Sequence, residues 1–217
     1  MSIKVVVFDF DGTIADTHDT FVEIVNALAG EFGYKPVGAA DIERLKNMSS
    51  REVIEQADVS LFRLPFLLRR VKRELNKRIE SSRPFAELHS CLATLKARGY
   101  ILGIITSNTR ENVTIFLSNN HLSEFFNFIY SGTPLFGKHK IIDRLIRQHR
   151  FQLSEVIYVG DETRDINAAK KSGIKAIAVG WGFNSPEILA KFQPDYLVHH
   201  PRELLEILDS PALSASG

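Results

Sequence analysis

Apolar residues fall along this chain in short unbroken runs: Ile3–Phe10, Tyr100–Thr106, Phe125–Tyr130, Val156–Val159, Lys175–Val179 and the weaker Tyr196–Val198. Most are rich in Val and Ile, and few alternate with polar residues. Continuous runs of this length read as strands covered on both faces, as in a parallel sheet. Between the later runs the apolar spacing lengthens to that of a helix. Phe85–Arg98 sets Leu88, Leu92 and Leu95 ahead of Gly99, and Lys140–Arg150 carries Ile141, Ile142, Leu145 and Ile146. Asp165–Lys171 runs up to Gly173, a natural helix stop. Strand–helix alternation from Pro84 onward predicts an α/β core, a Rossmann-like doubly wound parallel sheet.

The first strand breaks the rhythm. Roughly seventy residues separate Thr13 from Pro84, too many for one structureless loop in a compact domain. Phe21–Ala29 is periodic there, and Leu61–Ile79 places Leu67, Leu68, Val71, Leu75 and Ile79 among many Lys and Arg. The interval therefore predicts an inserted α-helical cap. Its basic stripe (Arg69, Arg70, Lys72, Arg73, Lys77 and Arg78) reads first as a solvated helix face, with a phosphate-seeking surface as the rival. The Ser- and Ala-rich tail after Asp209 is expected to fray.

Composition narrows the partners. With 27 basic and 26 acidic residues the net charge is +1, which gives no global field for nucleic acid or an anionic membrane. Any attraction for anions must be local. Cys91 is the single cysteine, so a disulfide framework within the chain and a Cys-based zinc site are both excluded. It reads as a small buried hydrophobe on a helix. No apolar stretch approaches the roughly 20 residues that cross a bilayer, and the N-terminus has no basic n-region or cleavage site. A cytoplasmic protein is expected, as a monomer or homodimer. The seven histidines form no metal-spaced cluster.

The chemistry-bearing residues sit where strands end. In Phe8-Asp9-Phe10-Asp11-Gly12-Thr13 two carboxylates emerge together from an apolar strand at a Gly turn. Paired like charges in that setting need compensation, and a hard divalent cation such as Mg²⁺ supplies it through oxygen ligands. Gly160-Asp161-Glu162-Thr163-Arg164-Asp165 follows another apolar run and opens a helix. Ligands of open α/β sheets gather outside such strand ends. If the two strands are neighbours, Asp161 completes an acidic triangle with Asp9 and Asp11; otherwise Asp161 and Glu162 are helix-capping acids. Thr106-Ser107-Asn108 ends the second long run, and its hydroxyl and amide groups suit phosphate oxygens, although such residues also cap helices. Lys138 precedes a predicted helix, where a cation opposes the helix dipole unless an anion lies close. Lys140 is the competing lysine. Ser49, Ser50 and Arg51 are candidate cap contacts to a substrate or simply a polar helix-capping loop, and Trp181 is either a wall of the site or packing.

These four segments, in this order, resemble the haloacid dehalogenase superfamily. The resemblance spans most of the chain, with Asp16–Arg83 at the position of that family's helical cap, residues 16–83, and residues 1–15 and 84–217 forming the core. It implies a hydrolase of phosphate monoesters with Asp9 as nucleophile and Asp11 as general acid and base. Mg²⁺ would be held by Asp9, the backbone carbonyl of Asp11 and Asp161. Thr106, Ser107, Asn108 and Lys138 would bind the phosphoryl group, with Asp165 and Glu162 behind them and Asp165 steadying Lys138 or a metal-bound water. The implied substrate is a small phosphorylated metabolite, with phosphoglycolate the leading candidate. Alternatives are a phosphosugar mutase of the β-phosphoglucomutase kind, a receiver-type phosphoacceptor domain, or a non-catalytic binder of phosphorylated ligands.

Overall fold

The computed structural model describes residues 2–56, 59–60, 62–134, 137–210 and 213. Its centre is a six-stranded sheet built from β1 (Val5–Phe8), β4 (Ile101–Ile105), β5 (Phe126–Tyr130), β6 (Val156–Gly160), β7 (Lys175–Val179) and β8 (Tyr196–Val198). The order is β5-β4-β1-β6-β7-β8, and every pairing is parallel. All six apolar runs have become strands of this sheet. Each residue of β1 is fully buried: Val6 and Phe8 join the apolar cluster on one face, Val5 and Val7 that on the other. Burial on both faces is why the sequence shows an unbroken run here.

The chain passes from β1 to β4 and β5 on one side, then returns to place β6 on the other side of β1. That reversal creates a crevice at the carboxyl ends of β1, β4 and β6, where Asp9, Thr106 and Asp161 follow their strands. Crossover helices cover both faces: α5 (Leu88–Ala97), α6 (Arg110–Asn119), α7 (Lys138–His149), α8 (Thr163–Lys171), α9 (Pro186–Lys191) and α10 (Pro201–Leu208). The sequence pattern anticipated α5, α7 and α8. It starts α7 two residues late, and in the structure Lys138 lies inside the first turn.

The interval after β1 is helical. It opens and closes on a two-stranded antiparallel pair, β2 (Ala15–Asp16) against β3 (Arg83–Pro84), so the chain leaves and re-enters through one narrow neck. Between them lie α1 (His18–Phe32), α2 (Ala39–Lys46), α3 (Ser50–Gln56) and α4 (Leu64–Arg78). Helices α1 and α4 pack through Ile24, Leu28, Leu67 and Val71. Helices α2 and α3 bury none of their residues and are only eight and seven residues long, too short to show a sustained apolar period. The expected run Leu61–Ile79 begins at Leu61, outside the described residues, as does Phe136 beside the lysine motif. Of the tail after Asp209, only Ser210 and Leu213 are described, and Leu213 is buried in the core rather than frayed. Among the described residues, no helix is long and apolar enough to cross a membrane.

Candidate active site

The crevice gathers residues far apart in sequence. Asp9 leaves β1, and its Oδ1 accepts the Phe10 N–H at 2.7 Å. Asp161 leaves β6 and is fully buried. Its Oδ1 accepts the Thr13 hydroxyl at 2.6 Å and its Oδ2 the Phe183 N–H at 2.8 Å. Gly12 adopts φ 77°, and a Cβ there would sit 2.3 Å from Asp161 Oδ2, so the turn must be glycine to let the two loops close on each other. Lys138 reaches in from α7 and lies between two carboxylates, 2.5 Å from Asp9 Oδ2 and 2.6 Å from Asp165 Oδ1. Lys140 is exposed.

Carboxylate oxygens of Asp9, Asp161 and Asp165 come within 4.8 Å of one another. The carboxylate of Asp11 stands outside that triangle. It accepts from Asn108 Nδ2 at 3.0 Å and from the Thr17 hydroxyl at 3.2 Å. The acidic triangle expected from Asp9, Asp11 and Asp161 thus has Asp165 as its third carboxylate, because Asn108 and Thr17 draw the Asp11 side chain the other way. The resemblance assigned Asp11 a backbone carbonyl as its metal ligand, which this side-chain placement leaves free of conflict.

Burial dominates the electrostatics. It raises Asp161 well above the usual carboxylate range, with the charges of Glu162 and Asp9 adding to the effect. Burial, then the neighbouring Asp9, push Asp11 up to about 6, against the pull of Asn108 and Thr17. Burial likewise lifts Asp165 to about 6 against the attraction of Lys138. Burial opposes the charge on Lys138, but Asp165 and Asp9 outweigh it and hold the ammonium above its ordinary value. Five carboxylates (Asp9, Asp11, Asp161, Glu162 and Asp165) thus face three cations, Lys138, Arg164 and, beside Asp11, Lys72. A divalent cation fits this set. It would relieve the surplus negative charge, and Asp9 Oδ2 has no hydrogen bond, the Lys138 ammonium being close to it but out of hydrogen-bonding geometry.

Thr106 is buried, and its Oγ1 accepts the Asn108 N–H at 2.9 Å. Asn108 spends its side-chain amide on Asp11, while its Oδ1 accepts from Thr109 N–H and Asn112 Nδ2. Ser107 is half-buried, and its carbonyl accepts Lys72 Nζ at 2.8 Å. Glu162 pairs with Arg164 and accepts the Ser50 hydroxyl at 2.9 Å. Ser49 and Glu52 cap α3 reciprocally, Ser49 N–H to Glu52 Oε2 at 2.7 Å and Glu52 N–H to Ser49 Oγ at 3.2 Å. Arg51 is exposed and paired with Glu55. Trp181 donates its indole N–H to Thr13 O at 3.2 Å and packs near Phe85, buttressing the first loop from outside.

A family model described as haloacid dehalogenase-like hydrolase matches residues 6–179, which contain Asp9, Asp11, Thr106, Lys138, Asp161 and Asp165. The chain belongs to this family. Among curated relatives of this haloacid dehalogenase-like hydrolase is the phosphoglycolate phosphatase of Synechococcus elongatus, 38% identical over 204 residues, covering 94% of this chain and 96% of that protein. Another is the N-acetylmuramic acid 6-phosphate phosphatase of Pseudomonas aeruginosa, 27% identical over 221 residues and covering 96% of both. A haloacid dehalogenase-like family hydrolase of Streptococcus pneumoniae shares the fold with a TM-score of 0.80 at 23% identity, over 95% of this chain and 99% of that one.

Three site residues were not singled out by the sequence. Thr13 lies inside the first motif, yet its role on Asp161 depends on a partner 148 positions away. Arg164 stands between two acids of the fourth motif, a signal that was present but ambiguous. Asn184 had none: its Oδ1 accepts the Thr163 N–H at 2.9 Å, and its Nδ2 donates to Met48 O at 2.9 Å across to the helical insert.

Proposed function

We propose that this haloacid dehalogenase-like phosphatase hydrolyses a small phosphate monoester through Asp9, with phosphoglycolate the best single substrate. The observation that carries the reading is the meeting of Asp9, Lys138, Asp161 and Asp165 at the reversal of strand order. The relative at 38% identity supports the substrate.

A phosphoryl group in transfer spreads negative charge over its equatorial oxygens, so positioning and charge stabilisation do most of the work. Mg²⁺, held by Asp9, Asp161 and the Asp11 carbonyl, would supply positive charge to those oxygens. A carboxylate oxygen of Asp9 forms the bond to phosphorus as the ester P–O bond breaks, giving an aspartyl phosphate. The departing alkoxide takes the proton of Asp11, whose carboxyl is pushed up to about 6 and so keeps a protonated fraction near neutrality. Asp11, now ionised, takes a proton from the water that attacks phosphorus, and phosphate leaves while Asp9 is restored. Lys138 neutralises phosphoryl charge, Asp165 keeps it aimed, and Thr106 with Ser107 and Asn108 shapes the phosphate pocket.

Residues 1–15 and 84–217 are the catalytic core in this reading, and residues 16–83 are the cap that selects substrate. The balanced net charge supports a small-molecule partner without nucleic acid or membrane, for a cytoplasmic monomer or homodimer. The decisive experiment is rapid quenching of labelled substrate with the wild type and Asp9→Asn in the presence of Mg²⁺. A hydroxylamine-sensitive phosphoprotein is expected in the wild type and none in the variant. Near-normal phosphate release by Asp9→Asn would end the assignment.

A further inference from the structure

The basic stripe of α4 is not uniform. Arg70 pairs with Glu74 and Glu31, Lys77 with Glu74, and Arg78 with Glu23, while Arg69 lies over the Phe66 ring. Lys72 departs from this pattern. It is half-buried, turns away from solvent and ends on Ser107 O of the core at 2.8 Å, and among the described residues it forms no ion pair. One turn later on the same face, Asn76 meets Asn112. Asn112 donates to Asn108 at 2.8 Å, and Asn108 holds Asp11. This face of α4 is therefore set against the residues that position the general acid, and it carries a cation to the rim of the same loop.

A second cation lies nearby. Arg164, in the first turn of α8, is held by Glu162, and its charge is felt by Lys72, Asp11 and Asp9 alike. The phosphoryl group already has Lys138 and the metal site. Lys72 and Arg164 are surplus to it, and they converge beside Asp11, the residue that faces the leaving oxygen. Burial and then the nearby Arg164 lower the pKa of Lys72 while Asp11 pulls the other way, and among the described residues no carboxylate pairs with the ammonium directly.

We infer that Lys72, backed by Arg164, binds a carboxylate carried on the leaving-group side of the substrate and so makes the enzyme selective for carboxylated phosphate monoesters. This rests on the phosphatase reading above and adds a specificity-determining residue from the cap. The geometry suits a short acid: Lys72 reaches the loop that positions Asp11, so the carboxylate belongs one or two carbons from the ester oxygen. A charge-assisted hydrogen bond made in a partly dry site discriminates strongly against an analogue that lacks the anion.

The test compares kcat/KM for 2-phosphoglycolate and 2-hydroxyethyl phosphate, which differ only in a carboxylate against a hydroxymethyl group. Wild type, Lys72→Gln and Lys72→Arg are measured with Mg²⁺. The wild type is expected to prefer phosphoglycolate. Lys72→Gln is expected to lose roughly ten- to a hundredfold of that ratio, mainly through KM, and Lys72→Arg to retain most of it. An active Lys72→Gln with the wild-type ratio overturns the inference. So does an equal fall on both esters, which marks a purely structural contact. A wild type that hydrolyses both esters equally well overturns carboxylate selection alone, whereas one inert to both with Mg²⁺ present overturns the phosphatase reading beneath it.

Discussion

The catalytic crevice and the helical insert solve opposite problems with the same residue types. In the crevice the charges are buried: Asp9, Lys138 and Asp165 are each 2% exposed or less, and Lys138 lies within 2.6 Å of both acids. In the insert they are on the surface, where Arg78–Glu23, Arg51–Glu55 and Lys77–Glu74 face solvent over a small apolar cluster. Buried charges hold one geometry because any departure strands a charge out of water. Exposed pairs contribute little and give easily. The difference teaches a division of labour. The crevice is held by buried ion pairs, and the insert meets the core through a narrow neck, polar contacts such as Ser50–Glu162 and Lys72–Ser107, and the packing of His18 and Phe21 on Phe183.

The strongest challenge to this contrast is Asp9→Asn, expected to lower turnover on the order of 10⁴-fold or more while the thermal midpoint stays near that of the wild type. A steady-state phosphate assay with circular dichroism checks it. Lys138→Met comes next. It leaves Asp9 and Asp165 facing each other without their shared cation, at a cost of about 3–5 kcal/mol, whereas Arg78→Ala in the insert should cost about 0–1 kcal/mol. Urea midpoints measured side by side sharpen the comparison, and equal losses would erase it. Asn184→Ala removes the acceptor of the Thr163 N–H and the donor to Met48 O, so it strikes both regions at their junction. A loss of about 1–3 kcal/mol is expected, together with a raised KM and a smaller change in kcat. The gentlest effect concerns Cys91, whose thiol is buried, donates to Pro201 O at 3.2 Å and is pushed up to about 12 by burial. A raised thiol pKa means the proton is kept, so the reactive thiolate is scarce at pH 8. Alkylation by iodoacetamide should proceed only at the rate of unfolding, and fast labelling of the native protein would contradict the buried placement.

The crevice was far more legible in the sequence than the insert. Strands β1 and β6 announced themselves as unbroken apolar runs, because each is covered on both faces, and the acids that follow them stood out for the cost of placing charge there. Asp165 was read as standing behind the ligands, yet its carboxylate joins the metal-capable triangle. That distinction turns on side-chain direction, which spacing does not encode. Helices α2 and α3 were illegible for a different reason: they are eight and seven residues long and bury none of them, so no sustained apolar period marks them.

The chain by itself determined the strand sequence, the positions of the strand-end acids and the presence of a helical insert, since each is written in local spacing and in the energetics of burying apolar or charged groups. Only the tertiary structure decided that Thr13 would serve Asp161, that Asn184 would join the α8 N-terminus to the insert, and that Lys72 would turn from its stripe to the core. Those contacts close loops of 21 to 148 residues. Their partners are chosen by how the sheet and helices pack, and no local pattern carries that information.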